Sequence, residues 1–301
     1  MKDIYKLSPD KHEEILEQIM EDVFSQAKSF ENPDIFILGA QPGAGKSTYI
    51  NHLIASGEAK DCLVINADEY RAYHPQIDEI NSKYPEQMAA ITDLDVRDWT
   101  QRIFAQAIKN RNNIIFEGTM RTNQICETIK KLHDQGYNVN IIVLAVNYFE
   151  SKLSTYSRYE ESLQRKELAR HSPPEAHDET YGKMLSTLQQ IEDEGYYSKM
   201  TIHSRDKRVV FRSDRKNPKV GSVVAILKHR DRVWSQSKLN AYQSKADEVI
   251  NVMHARGEHS KPDEIAVLKQ GVSQMGKVKA ANELSALMSA LLRNRTPNTK
   301  H

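Results

Sequence analysis

The sequence predicts an α/β fold in which a parallel sheet carries helices on both faces. Short apolar segments with strand character recur along the first half of the chain, and segments with helical periodicity separate them. Strands that alternate with helices in this way form βαβ units and a parallel sheet. The predicted strands are 34–39, 63–66, 113–117 and 139–146.

Helical periodicity is equally regular, and after Gly195 the pattern changes to a short strand pair followed by helices. The predicted helices are 13–30, 46–56, 93–110, 123–135, 150–190 (interrupted at Ser172-Pro-Pro174), 238–255 and 262–292, and the predicted strand pair is 200–203 with 208–212. We place a domain boundary at Asn217. Residues 1–216 then form the α/β domain, and residues 217–301 form a basic, mainly helical C-terminal extension.

Composition is that of a globular protein: 39% of the 301 residues are hydrophobic and 28% are charged. The apolar runs are too short to span a bilayer, and the N-terminus has no apolar signal core, so we expect a cytoplasmic protein without membrane contact. Cys62 and Cys126 lack metal-ligand spacing and are expected to be small packing residues.

Charge is distributed unevenly, although the net charge is only +1. From Lys199 onward there are 21 basic and 9 acidic side chains, a net charge of +12, and the rest of the chain carries −11. Such asymmetry is compatible with nucleic-acid binding or with charge pairing inside the protein. Without interleaved aromatic residues or a recognition motif, we favour internal pairing and regard a nucleic-acid partner as unlikely.

A glycine-rich turn directly after the first strand and before a helix predicts a phosphate-binding P-loop. The amides of such a turn and the helix N-terminus attract phosphate oxygens. A lysine there neutralises the β- and γ-phosphates, and the hydroxyl that follows it suits Mg²⁺. Ala40 occupies the position where the motif usually begins with glycine. The predicted nucleotide-binding residues, for ATP or GTP, are Gln41, Pro42, Gly43, Ala44, Gly45, Lys46, Ser47 and Thr48, with Ser47 as the metal ligand.

Two carboxylates follow predicted strands at the edge of the sheet where ligands of open α/β folds bind. Asp68 comes just after the second strand, and Glu117 ends the third. A kinase that acts on a hydroxyl needs a carboxylate there to orient the alcohol and accept its proton. Because no Asn-Lys-x-Asp element is present, a small GTPase is disfavoured.

Arginines in the central helical segment are candidates for stabilising the transferred phosphoryl group, since its equatorial oxygens gain charge in the transition state. Arg158 and Arg170 lie in this segment. Their spacing alone does not distinguish this role from that of an ordinary solvated helix.

In its ordered set of short motifs, the chain resembles the zeta toxins, P-loop kinases of bacterial toxin–antitoxin systems that phosphorylate UDP-N-acetylglucosamine. The resemblance covers roughly residues 10–195. The motifs are the P-loop, Asn66-Ala-Asp68 with Arg71 and His74-Pro75, Phe116-Glu-Gly-Thr119-Met-Arg121, Ser157-Arg158-Tyr-Glu160, Ala169-Arg170-His-Ser-Pro173 and Ala176-His177-Asp178.

The resemblance implies a role for each matching residue. Lys46 would hold the β- and γ-phosphates, Asp68 would be the base for the sugar 3′-hydroxyl, and Arg158 and Arg170 would stabilise the phosphoryl group. A glutamate expected on the helix before the third strand aligns with Gln101, which changes the charge of the acceptor site. The residues implied to line that site are Arg71, His74, Asp98, Gln101, Glu117, Thr119 and Arg121.

Alternative functions remain open at this point. The acceptor is either UDP-N-acetylglucosamine, a related nucleotide sugar or another hydroxylated molecule. A nucleotide-dependent regulatory protein whose basic tail binds nucleic acid is the alternative from another class. The resemblance also implies a small helical antitoxin as a partner, and inhibition by the chain's own C-terminal extension would be a substitute for it.

Overall fold

A single mixed sheet organises the part of the chain that the computed structural model describes, residues 4–274. Within this range the sheet has six strands in the order β2-β3-β1-β4-β5-β6. The strands are β1 (Asp34–Gly39), β2 (Cys62–Ile65), β3 (Asn113–Gly118), β4 (Asn138–Leu144), β5 (Lys199–His203) and β6 (Val209–Asp214).

Strands β1 to β5 pair in parallel, and β6 pairs with β5 in antiparallel orientation at the edge of the sheet. Strand β1 lies between β3 and β4, so the turn that follows it emerges at the middle of the carboxyl edge. Open α/β sheets bind ligands at this edge, where the chain connections diverge. The predicted α/β fold with a mainly parallel sheet is confirmed.

Helices connect and cover the strands. They are α1 (Pro9–Phe24), α2 (Lys46–Ala55), α3 (Ala67–Tyr70), α4 (Ile77–Lys83), α5 (Met88–Ile91), α6 (Asp93–Lys109), α7 (Gln124–Asp134), α8 (Tyr148–Arg165), α9 (Pro174–Glu194), α10 (Ser222–Arg230), α11 (Gln236–Ala255) and α12 (Lys261–Gln274).

Helix boundaries differ from the predicted ones where local capping decides them. Helix α1 begins at Pro9 rather than at residue 13, because the Ser8 side chain accepts a hydrogen bond from the Lys11 amide and proline is favoured in a first turn. Helices α3, α4, α5 and α10 are additional to the prediction. Of the predicted helix 262–292, the part after residue 274 lies outside the described residues.

Three main clusters of buried side chains form the core. Buried side chains of α1, α6, α7 and α9 cover one face of the sheet, and those of α2 cover the other. A third cluster joins α8 to the C-terminal extension, with Leu153 and Tyr156 of α8 packed among Trp234, Tyr242 and Met253. The extension is therefore attached to α8 by apolar packing, and α8 in turn borders the turn after β1.

Ion pairs also connect the extension to the first domain. Basic side chains of the extension contact acidic side chains of the first domain in the pairs Lys238–Glu150, Lys245–Glu161, Arg256–Glu160 and Lys261–Glu86. Arg256 binds the buried Glu160 through two hydrogen bonds of 2.6 and 2.7 Å. Part of the positive charge of the extension is therefore paired with negative charge of the first domain. No helix within residues 4–274 combines the length and apolar content needed to cross a membrane.

Candidate active site

The turn between β1 and α2 is shaped by two glycines with positive φ. Gly43 has φ +73°, and a Cβ at this position would lie 2.0 Å from the carbonyl oxygen of Ser151 on α8. Gly45 has φ +95° and open space around it. Left-handed backbone favours glycine at both positions, but only Gly43 is also required by close packing. The loop therefore lies directly against α8.

Lys46, the first residue of α2, is held at the mouth of this turn. Its Nζ donates to the Ala40 carbonyl oxygen at 3.0 Å and lies 3.8 Å from Glu117 Oε1. Burial is the main cause that lowers the pKa of Lys46 to about 8, and the neighbouring Glu117 carboxylate partly opposes it. A buried ammonium group with so little compensation is suited to bind an anion.

A cavity of about 610 Å³ opens over the turn. Of the predicted nucleotide-binding residues, Gly43, Gly45 and Lys46 to Thr48 line this cavity. The remaining predicted residues have other positions: Gln41 and Ala44 are buried beneath the loop, and Pro42 lines a neighbouring cavity. One face of α8 forms another wall, and residues of α11 in the extension also line the cavity.

Glu117 extends from the end of β3 into the same cavity. Its Oε2 is buried and has no hydrogen-bond partner among the described residues. Together with the Ser47 hydroxyl, this free oxygen fits the oxygen-rich environment that Mg²⁺ prefers when it accompanies a phosphate chain. Among residues 4–274, no group of three or more His, Cys, Asp or Glu side chains is arranged to hold a metal ion.

Asp68 lies in the first turn of α3, where the Asn66 side chain caps its amide. Its carboxylate pairs with Arg170 from the loop between α8 and α9, and it lies 3.3 Å from Arg71 Nε. Arg71 is itself fixed, because its guanidinium donates to the Ala89 carbonyl oxygen at 2.9 Å. The cluster brings together residues from distant parts of the chain, as the resemblance implies.

Two of the predicted residues connect the cluster around Asp68 to the 610 Å³ cavity over the turn, which we call the phosphate cavity. Asp68, Arg71 and Arg170 line a smaller cavity of about 210 Å³, and Ser47 and Arg158 line both cavities. Arg158 is exposed to the cavities, and partial desolvation by the surrounding protein lowers its pKa from the ordinary arginine value. An acceptor near Asp68 would therefore lie next to the end of a phosphate chain bound over the turn.

Further space for an acceptor lies on either side. Arg71 and Arg170 also line a cavity of about 270 Å³ that reaches Pro42 and Ser172. The predicted residues Gln101, Thr119 and Arg121 line another cavity, of about 360 Å³, beyond the end of β3. Arg121 is paired there with Glu179 of α9 at 3.2 Å.

Two predicted substrate residues have structural contacts instead. His74 is buried, and its Nε2 lies 3.1 Å from the Tyr5 carbonyl oxygen. Burial lowers the pKa of His74, which favours the neutral ring. Asp98 lies 2.9 Å from His12 Nε2 on α1 and lines none of the cavities described above. Their roles in substrate binding stay predictions.

Sequence reasoning missed the contribution of the extension. Six of the cavity-lining residues come from the chain after β5: Arg205 follows β5, and Trp234, Lys238, Ala241, Tyr242 and Lys245 belong to the extension. The contrast in charge and the helical periodicity of α11 gave no indication that this helix reaches the phosphate cavity.

A buried chain of hydrogen bonds also links the extension to the P-loop. Arg230 at the end of α10 donates to Gln41 Oε1 at 3.0 Å, and Gln41 Nε2 donates to Ser151 Oγ at 3.1 Å. Ser151 Oγ lies 2.8 Å from His177 Nε2, whose pKa burial lowers to about 4. Because Ser151 and His177 are fully buried, this group connects elements and offers no exposed nucleophile.

Comparison with known sequences identifies one family and several of its members as similar to this chain. A sequence model of a family described as zeta toxin matches residues 17–216. Toxin zeta of Streptococcus pyogenes is 27% identical over 208 residues, covering 68% of this chain and 72% of that protein. Toxin PezT of Streptococcus pneumoniae is 28% identical over 212 residues, covering 69% of this chain and 82% of that protein.

Solved structures share the fold. A chain from the PezAT chromosomal toxin–antitoxin system of Streptococcus pneumoniae superposes with a TM-score of 0.69 and 22% identity, covering 81% of this chain and 98% of that one. A chain of the AvrRxo1-ORF1:AvrRxo1-ORF2 complex with ATP superposes with a TM-score of 0.54 and 13% identity, covering 92% and 88%.

Proposed function

Because this chain belongs to the zeta toxin family, we propose that it is a kinase that transfers the γ-phosphate of ATP to a nucleotide sugar. The proposed acceptor is the 3′-hydroxyl of UDP-N-acetylglucosamine or of a related molecule. The observation that supports it best is the junction of two cavities at Ser47 and Arg158, with Lys46 on one side and Asp68 on the other.

In the proposed reaction, the acceptor hydroxyl donates a hydrogen bond to the Asp68 carboxylate. As its oxygen forms a bond to the γ-phosphorus, the proton passes to Asp68 and the bond to the β–γ bridging oxygen breaks, which leaves ADP. Lys46, Arg158 and Arg170 stabilise charge on the transferred group. When bound, Mg²⁺ supplies charge neutralisation on the phosphates, and Ser47 and Glu117 are the residues suited to hold it.

The direct test is mass spectrometry of UDP-N-acetylglucosamine incubated with protein, ATP and Mg²⁺. We expect one added phosphate, and Asp68→Asn should lower the rate by about 10²- to 10⁴-fold because the proton acceptor is lost. Asp78→Asn is the matched control, since Asp78 is an exposed aspartate in the first turn of α4. GTP in a parallel reaction determines the nucleotide preference.

An undiminished rate in Asp68→Asn would show that Asp68 is not the base. A wild-type protein that binds ATP but leaves the nucleotide sugar unchanged would exclude this acceptor. Another acceptor is favoured in that case by Gln101, which lines the cavity beyond β3 where the resemblance implies a glutamate. Labelled ATP added to a metabolite extract would identify it.

Toxicity and its control are part of the same proposal. Expression of the wild-type chain in bacteria should arrest growth, and expression of Asp68→Asn should not. The two solved structures named above come from a toxin–antitoxin system and from a two-protein complex, so we propose a small protein partner that blocks the nucleotide cavity. Within residues 4–274 the extension lines this cavity without filling it, and inhibition by the chain itself is the alternative to a separate partner.

A further inference from the structure

We infer that His177, a fully buried histidine of α9, is a positioning residue for phosphate transfer. Through Ser151 of α8, it holds the P-loop and the loop that carries Arg170 in a fixed arrangement. This inference rests on the proposed function and adds to it a residue that lies outside the cavities.

Ser151 contacts the P-loop at two points. Its carbonyl oxygen is the atom that a Cβ at Gly43 would meet at 2.0 Å. Its Oγ accepts a hydrogen bond from Gln41 Nε2 at 3.1 Å. Because both contacts come from one residue in the first turn of α8, the position of Ser151 determines how the P-loop lies against this helix.

His177 binds Ser151 from the side of α9. Its Nε2 lies 2.8 Å from Ser151 Oγ, and its Nδ1 lies 2.9 Å from Asp178 Oδ1. Burial lowers the pKa of His177 to about 4, so the ring is neutral at pH 7. An ionised carboxylate only accepts hydrogen bonds, which assigns the ring proton to Nδ1 and leaves Nε2 to accept from the Ser151 hydroxyl.

The residue next to Ser151 strengthens the same connection. Lys152 Nζ donates to Asp178 Oδ1 at 2.7 Å and to the Pro174 carbonyl oxygen at 2.8 Å. Pro174 is the first residue of α9. Two consecutive residues of α8 therefore attach the start of α8 to the start of α9.

The start of α9 directly follows the loop that carries Arg170. Arg170 pairs with Asp68, and Ser172 in the same loop accepts a hydrogen bond from the Arg158 guanidinium at 3.2 Å. A continuous series of contacts thus runs from the P-loop through Ser151 and His177 to this loop. Phosphate transfer is sensitive to such an arrangement, because the reacting groups must be held in a near-attack geometry.

His177→Phe tests the role, since it keeps an aromatic ring and removes both ring nitrogens. We expect kcat for phosphate transfer to fall by about 10- to 10²-fold, the scale for a misplacement of about 1 Å. The affinity for MgATP, measured by calorimetry, should change little, because the backbone contact between Ser151 and Gly43 remains. A loss confined to kcat indicates an interaction that matters in the transition state.

Two amide variants separate positioning from packing. In His177→Gln the amide lies near the place of Nε2 and can still bind Ser151, whereas in His177→Asn it lies near the place of Nδ1 and reaches only Asp178. We expect His177→Gln to retain most of kcat and His177→Asn to resemble His177→Phe. A purely structural role would instead make His177→Phe the best tolerated of the three.

A double-mutant cycle with Arg170→Ala tests the connection itself. If His177 acts by placing Arg170, the two losses in kcat should combine to less than their product. His254→Phe is the matched control, since His254 is exposed on α11 and lines none of the cavities described above. It should leave kcat and MgATP affinity unchanged.

An unchanged kcat in His177→Phe, equal losses in the Phe and Gln variants, or fully multiplicative losses with Arg170→Ala would overturn the inference and leave the proposed function intact. If His177→Phe does not fold, the comparison of His177→Gln with His177→Asn decides between the same two outcomes. A wild-type protein that binds MgATP but transfers phosphate to no acceptor would overturn the proposed function and, with it, this role of His177.

Discussion

The two long walls of the phosphate cavity differ in how the sequence encodes them. The wall formed by the P-loop is a contiguous motif whose glycines, lysine and hydroxyl can be identified from their spacing. The wall formed by the extension consists of Trp234, just before α11, and of Lys238 and Tyr242 on α11, which have no motif and reach the cavity because the extension packs on α8. A local signal thus gives the chemistry of one side, and tertiary packing gives the other.

Substitutions in the P-loop wall should have larger effects than substitutions in the wall formed by the extension. Gly43→Ala is expected to reduce the free energy of unfolding by about 3 kcal/mol and to abolish phosphate transfer, because the new Cβ would meet the Ser151 carbonyl oxygen in a left-handed backbone conformation. Urea unfolding and the kinase assay measure the two effects.

Gly45→Ala is the internal control for this variant, since its φ is also positive but nothing lies near the added methyl group. It should cost only about 1–2 kcal/mol, the strain of the left-handed conformation. Equal costs for the two variants would show that α8 does not constrain the loop.

Breaking the hydrogen bond between the extension and the P-loop should have an intermediate effect on stability. Arg230→Met removes the donor to Gln41 and leaves a buried amide oxygen without its partner, so we expect a loss of about 1–3 kcal/mol in the free energy of unfolding. A double-mutant cycle with Gln41→Leu separates this contact from the other contacts of Arg230.

If Arg230 positions the P-loop, the variant should also raise the KM for ATP more than it lowers kcat. Additive costs of Arg230→Met and Gln41→Leu, with an unchanged KM, would mean that the extension stabilises the domain without communicating with the loop.

The smallest effect concerns the protonation of Lys46, whose folded pKa of about 8 lies below the ordinary lysine value of 10.5. Between these values the unfolded chain binds more protons than the folded one, so this residue makes the protein more stable as pH rises from about 8 to 10.5. Phosphate binding acts in the opposite direction, because an anion favours the charged ammonium.

We therefore expect the affinity for MgATP to fall as pH rises above about 8, by at most tenfold per pH unit for one proton taken up. Calorimetry at pH 9 in two buffers of different ionisation enthalpy measures that uptake directly. Binding without proton uptake at pH 9 would show that Lys46 is already fully charged in the free protein.

Several parts of the fold and site could be predicted because their signals are local. The strand, glycine-rich turn and helix around Lys46, the strand pair after Gly195, and the interruption at Ser172-Pro-Pro174 all depend on neighbouring residues. Helices α3, α4, α5 and α10 were missed because they are short and carry few periodic apolar positions. The predicted domain boundary at Asn217 stays a prediction.

The predicted site residues fall into two groups, those that line the adjoining cavities and those that contact other parts of the chain. Lys46, Ser47, Asp68, Arg158 and Arg170 come together around two adjoining cavities, since each lies at a strand end or on the helical segment that crosses the sheet edge. His74 and Asp98 contact the N-terminal segment and α1 instead, through Tyr5 and His12. Their spacing could not reveal this, because the partners are more than 60 residues away.

The sequence by itself determined the α/β class, the phosphate-binding turn and the family resemblance, because these rest on residues close together in the chain whose backbone and charge requirements are specific. Only the tertiary structure decided that Arg230 contacts Gln41 and that Trp234 faces the phosphate cavity. Both depend on where α10 and α11 pack. Packing of apolar side chains against α8 is not directional, so no short pattern encodes which helix face will meet the site.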